Sequence, residues 1–190
     1  MNGHRVSSRL YSPSTPQLSE FKDICSQTTD PATYPLASEV KSNIPIYDLA
    51  ALESAGLTSD LINRLQDEWH HILHTGPGVY VLRSMYAPAK YETTLNTTNT
   101  AFNEIIAREA AQSDNKKGDH FAVGGTNDRI WNSFSKHALQ DPSSFIDYYS
   151  NPWLAAVCES WLGPAYRVTA QVSAVHPGGA AQEAHRDYHL

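Results

Sequence analysis

Little in this sequence marks a secreted, membrane-spanning or nucleic-acid-binding chain. It has only two cysteines, Cys25 and Cys158, far apart, and no apolar h-region opens the chain, so neither a disulfide framework nor secretion is expected. No uninterrupted apolar stretch approaches the ~20 residues that a helix needs to span a bilayer. No Lys/Arg run could neutralise several phosphates in a row, and 14 basic against 20 acidic residues leave a formal charge of −6. Nucleic acid and membrane are therefore not expected partners. The motifs G-x-S-x-G, C-x-x-C and G-x-G-x-x-G do not occur, which removes the commonest signals of hydrolase, thiol-redox and dinucleotide chemistry. Gly124-Gly125-Thr126 lacks the spacer and lysine of a phosphate-binding loop and reads as a tight turn.

What is present fits one globular unit: 190 residues, 41% of them hydrophobic, can bury a sizeable core. The first 19 residues hold no Asp or Glu but carry Arg5 and Arg9. No amphipathic periodicity accompanies these charges, so a polar tail is expected rather than a transit peptide. Arg9-Leu10 and Gln17-Leu18 approach a peroxisomal signal with one intervening residue too many, and a cytoplasmic location is the expectation. Residues 1–43 mix Ser, Thr and Pro with isolated apolar residues and read as a flexible leader with one short docking segment; residues 44–190 form the domain.

Within the domain, Ser59 and Asp60 can cap a helix whose stripe is Leu61, Leu65, Trp69 and Ile72 or Leu73, stopped at Gly76. Gly78 to Met85 suits a buried strand. Lys90 to Ala111 has Tyr91, Leu95, Phe102, Ile105 and Ile106 at helical spacing, with a Thr-rich middle that weakens the helix. A less regular stretch holds Trp131 and Phe134. Asn151-Pro152 starts a short helix that ends at Gly163. Tyr166 to Val175 alternates as a strand, and Pro177-Gly178-Gly179 is a turn.

Two groups of residues could carry metal chemistry. His70 and His74 stand at i and i+4 on one helix face, a spacing that zinc sites use. With no Glu or Asp in the H-E-x-x-H place and no nearby Cys, this is read as a solvated polar face. His185 and Asp187 form an H-x-D pair. In an extended segment they point to the same side about 7 Å apart, and an imidazole plus a carboxylate suits a divalent first-row metal. His189 lies about 13 Å along such a strand from His185, its side chain parallel rather than converging, and is set aside as a third ligand.

The order Gln171…Val175-His176-Pro177-Gly178-Gly179…Gln182-x-x-His185-Arg186-Asp187 resembles the phytanoyl-CoA dioxygenase-like family of Fe(II)- and 2-oxoglutarate-dependent oxygenases. The likeness is best from Trp161 to Leu190, and the helix, strand and helix order from about Ile44 to Gly163 is similar to the family's N-terminal half. The resemblance implies an α+β chain, a helical N-terminal flank leading into a truncated double-stranded β-helix of the jelly-roll or cupin-like kind. It implies His185 and Asp187 as two of three iron ligands, Gln182 in the 2-oxoglutarate or metal-proximal pocket, and hydroxylation of a small organic substrate with O2.

The family's third ligand, a second histidine, comes from a strand further downstream, followed by an arginine for 2-oxoglutarate, whereas only Tyr188, His189 and Leu190 follow Asp187 here. The isolated chain is thus expected to be inactive, the N-terminal part of a complete dioxygenase. A second reading is a non-catalytic remnant that binds a partner through an exposed apolar strand. A third, a zinc hydrolase built from the histidine-rich helix and His185, ranks last.

Overall fold

A hairpin opens the first sheet of the fold. The computed structural model describes residues 17–112 and 127–179. After helix α1 (Leu18–Cys25) and a 3-10 turn (Pro31–Thr33) come β1 (Glu39–Lys41) and β2 (Ile44–Asp48), paired antiparallel with Lys41 opposite Ile44. Their link, Ser42 and Asn43, takes positive φ at both positions, 51° and 66°, the geometry of a two-residue hairpin turn whose twist matches that of the strands. Asp48 then ends the strand and starts α2 (Leu49–Ala55), its carboxylate accepting from the Ala50 and Ala51 N–H groups.

Helix α3 (Ser59–His74) follows, capped by Thr58, whose hydroxyl accepts from the Leu61 N–H at 3.1 Å. The cap thus sits one residue before the expected Ser59, which is itself helical. β3 (Val81–Arg83) returns parallel to β2 with Leu82 opposite Tyr47, so β2 is central and β3 an edge. The expected buried strand is therefore shorter and half in solvent, with Val81 40% exposed.

The α3 stripe lands in the main core as its period requires: Leu65, Trp69 and Ile72 are fully buried against Tyr47, Leu49 and Trp153. Each such side chain contributes about 1.5–3 kcal/mol by leaving water. Trp69 stacks on Tyr80 at 5.7 Å and meets Tyr47 edge-on at 5.9 Å. Tyr34 also lies in this core and β1 pairs with β2, so the packed unit takes in residues upstream of 44. Helix α7 (Pro152–Leu162) closes it. The Asn151 carboxamide accepts from the Trp153 N–H at 2.9 Å and donates to the Met85 carbonyl at 2.8 Å, and the Trp153 indole N–H donates to Glu53 at 2.7 Å.

A second cluster surrounds α4 (Pro88–Gln112), which buries Ala101 and Ile105. The stretch after β4 (Asn127–Ile130), expected to be irregular, is two helices, α5 (Ser133–Gln140) and α6 (Pro142–Tyr149). Phe134, Phe145 and Tyr149 from these helices pack ring to ring at 4.7–5.0 Å around His137. β4 pairs antiparallel with β5 (Val172–Val175). The architecture is α+β, with seven α-helices and sheets of three and two strands among the described residues. No described helix is long and apolar enough to cross a membrane.

Candidate functional site

The two-stranded ribbon is the element that leads toward the H-x-D motif. Helix α7 ends at Gly163, whose φ of 75° only glycine adopts without strain. The chain turns at Pro164 and Ala165 and then runs to β5, and just before that strand the Ala170 carbonyl accepts from the Ser133 N–H at 3.1 Å. Of the expected ten-residue strand only Val172–Val175 pairs, because β4 offers just four residues, Asn127 facing Val175 and Ile130 facing Val172. The expected parity holds from Ala170 to Val175: Ala170, Val172 and Ala174 are half-buried while Gln171, Ser173 and Val175 are exposed.

Three contacts fix the ribbon at its ends. The Arg129 guanidinium donates to the Gln171 side-chain oxygen from Nη2 at 2.6 Å and from Nε at 3.2 Å, and lies 4.2 Å over the Trp131 ring. At the other end His176 Nε2 donates to Asp128 Oδ2 at 2.7 Å. His176-Pro177-Gly178-Gly179 then forms a turn closed by the Gly179 N–H on the His176 carbonyl at 2.8 Å. With proline second and glycine third at φ 84°, it is a type II turn, the form these residues favour.

Gln182, His185 and Asp187 lie outside the described residues, as do His189 and the Gly124-Gly125-Thr126 segment. The turn stops three residues before Gln182. An imidazole and a carboxylate remain a donor set that suits Fe(II). Among the described residues no three His, Cys, Asp or Glu side chains converge as a metal site, and His176 and Asp128 are bonded to each other. The histidine-rich helix divides: His71 turns to the Tyr34 hydroxyl at 3.1 Å, while His70 and His74 face α7.

Sequence reasoning missed a second polar site. Glu68 accepts from the Tyr47 hydroxyl at 2.8 Å and the Leu36 N–H at 3.1 Å. Burial holds its carboxyl above the usual range, opposed by these two hydrogen bonds and by the Arg64 charge. The signal was its place: Glu68 follows Leu61 by seven residues and Leu65 by three, on the buried stripe. Where Tyr34 and His71 meet, a cavity of about 440 Å³ is walled by these two with Cys25, Thr29, Asn43 and Pro77. Its polar wall suits a small hydrophilic molecule, although Thr29 and Asn43 already bond each other.

No family model, no curated protein and no solved structure matches this chain.

Proposed function

We propose that this chain is the N-terminal part of a non-haem Fe(II)- and 2-oxoglutarate-dependent dioxygenase of the phytanoyl-CoA dioxygenase-like kind, which hydroxylates a small organic substrate with O2. The observation that carries the reading is the ordered series of residues from Gln171 through His176-Pro177-Gly178-Gly179 to Gln182, His185 and Asp187. Its described part supports this: a strand followed by a type II turn is a suitable approach to a ligand-bearing strand. In this reading β4 and β5 are the first strands of a double-stranded β-helix, whose further strands would cover the ribbon.

His185 and Asp187 would hold the iron by an imidazole nitrogen and a carboxylate oxygen, and Gln182 would line the 2-oxoglutarate pocket. Iron and 2-oxoglutarate, when bound, supply the oxidising chemistry. The described residues orient the approach: the His176–Asp128 and Arg129–Gln171 bonds hold both ends of the ribbon, and the turn sets the direction in which the chain leaves it. Turnover needs a second imidazole and a basic side chain for the co-substrate beyond those these 190 residues supply.

Anaerobic titration of the purified chain with Fe(II) in the presence of 2-oxoglutarate, followed by visible absorption, tests the ligand assignment. His185→Ala and Asp187→Ala each weaken binding by at least about tenfold on this reading; binding unchanged in both variants removes it. A non-catalytic binding role is the alternative, favoured by the exposure of Val175, at 58%. The intact mass of the native protein separates the two. A mass above 21.0 kDa by roughly ten kDa or more, the weight of the further strands at ordinary domain sizes, supports the enzyme, and a mass of 21.0 kDa supports the binding role.

A further inference from the structure

Helices α3 and α7 pack side by side and run the same way, with Gln66 donating to the Ala156 carbonyl and, one turn on, His70 bonded to the Ser160 carbonyl. Both helices therefore end in the same place, α3 at His74 and α7 at Leu162. Each helix C-terminus carries partial negative charge, so this shared end favours a cation. Two imidazoles project from it. His70 and His74 are exposed, one turn apart, with ring centres 5.7 Å from each other, and the Trp161 ring lies 5.6 Å from the first and 6.5 Å from the second.

The bond from His70 decides its tautomer. A carbonyl can only accept, so Nδ1 carries the proton at 3.0 Å from Ser160 O, and Nε2 presents its lone pair outward. This is the second contact by which proteins fix a metal-binding imidazole. Metal–nitrogen bonds of about 2.0–2.1 Å in a tetrahedral site place two ring centres about 5 Å apart. The observed separation is within about an ångström of that. The rings lie 11° from parallel, so His74, which no described hydrogen bond restrains, turns about its side-chain bonds to point a nitrogen at the shared ion.

We propose that His70 and His74 form a two-imidazole site for a late first-row divalent cation such as Zn²⁺ or Cu²⁺, with water filling the other positions. Imidazole nitrogen prefers these ions. The site is independent of the iron ligands proposed above, and Trp161 stands against it as an optical reporter.

The test is titration of the full chain with Cu²⁺, a quencher of nearby indoles, read by tryptophan fluorescence and in parallel by calorimetry with Zn²⁺. The expected result is saturable quenching that fits one ion at this site, competed by Zn²⁺, with the same quenching curve in the His185→Ala/Asp187→Ala double variant. Affinity falls at least about tenfold in His70→Ala and in His74→Ala. It stays unchanged in His71→Ala, whose imidazole faces Tyr34, and in the His185→Ala/Asp187→Ala double variant. Trp161→Phe removes most of the quenching but leaves the calorimetric affinity intact. Wild-type affinity in His74→Ala with unchanged circular dichroism, an equal loss in His71→Ala, a loss confined to the double variant, or no saturation in the wild type would each overturn the proposal.

Discussion

Gly76, at the surface just past α3, has no room for a side chain against Tyr34 and Ile72. A Cβ there would stand 2.4 Å from the Tyr34 hydroxyl and 2.9 Å from the Ile72 Cα, and the second neighbour is backbone that cannot step aside. Gly76→Ala is expected to cost about 1–3 kcal/mol in urea unfolding. Adding Tyr34→Phe should restore only part of that; full recovery would mean the Ile72 contact is harmless. Asn151 does two jobs with one carboxamide, capping α7 and holding the Met85 carbonyl. Asn151→Ala should cost about 1–3 kcal/mol, the loss of a cap together with an orphaned acceptor. A loss no larger than a few tenths of a kcal/mol would show that water replaces both bonds.

The helix most open to improvement is α4. Thr97 and Thr100 point their hydroxyls back to the Thr93 and Asn96 carbonyls at 2.9 Å, the local bond by which Ser and Thr satisfy themselves in a helix at some cost to it. Both are exposed, unlike buried Thr98. Replacing Thr97 and Thr100 with Ala should raise stability by about 1 kcal/mol in total, seen as a higher urea midpoint with an unchanged slope; a lower midpoint refutes the account. Elements with strong local signals were legible in sequence. The α3 stripe followed its helical period, and Asn151-Pro152 announced α7. Asp141-Pro142 carries the same signal for α6, with Asp141 accepting from the Ser143 and Ser144 N–H groups, but Trp131 and Phe134 upstream show no helical period and the stretch reads as irregular. β4 has no apolar alternation at all and exists through its pairing with β5. The hairpin turn Ser42-Asn43 lacks the usual glycine. As for the candidate site, its approach was legible in the parity of β5 and in Pro177-Gly178, both local, whereas the His176–Asp128 pair joins residues 48 apart and left no trace in spacing.

For the molecule as a whole, His137 ties stability to acid. It is fully buried, and the Ser144 hydroxyl, which donates to the Asp141 carbonyl, accepts from its Nε2 at 2.9 Å. Its Nδ1 is left buried without a partner. Burial lowers its pKa below the usual 6.5, with the Asp141 charge opposing. The unfolded chain therefore takes up a proton first, so this contribution is fully present above pH 6.5 and is lost as pH falls below it. Unfolding free energy should drop as pH falls below 6.5, and His137→Gln should flatten that slope; an identical slope in the variant would assign the loss elsewhere. The bond from Trp153 to Glu53 spans 100 residues of sequence, and this has a consequence for synthesis. When the ribosome has made Tyr34 through Ile72, the core they belong to still lacks its lid, because Trp153 and Ala156 are roughly 80 residues away. At about 5–20 residues per second that is roughly 4–16 s. Through that interval Trp69, Tyr47 and Leu65 stand open on one side, the moment at which a chaperone has most to hold.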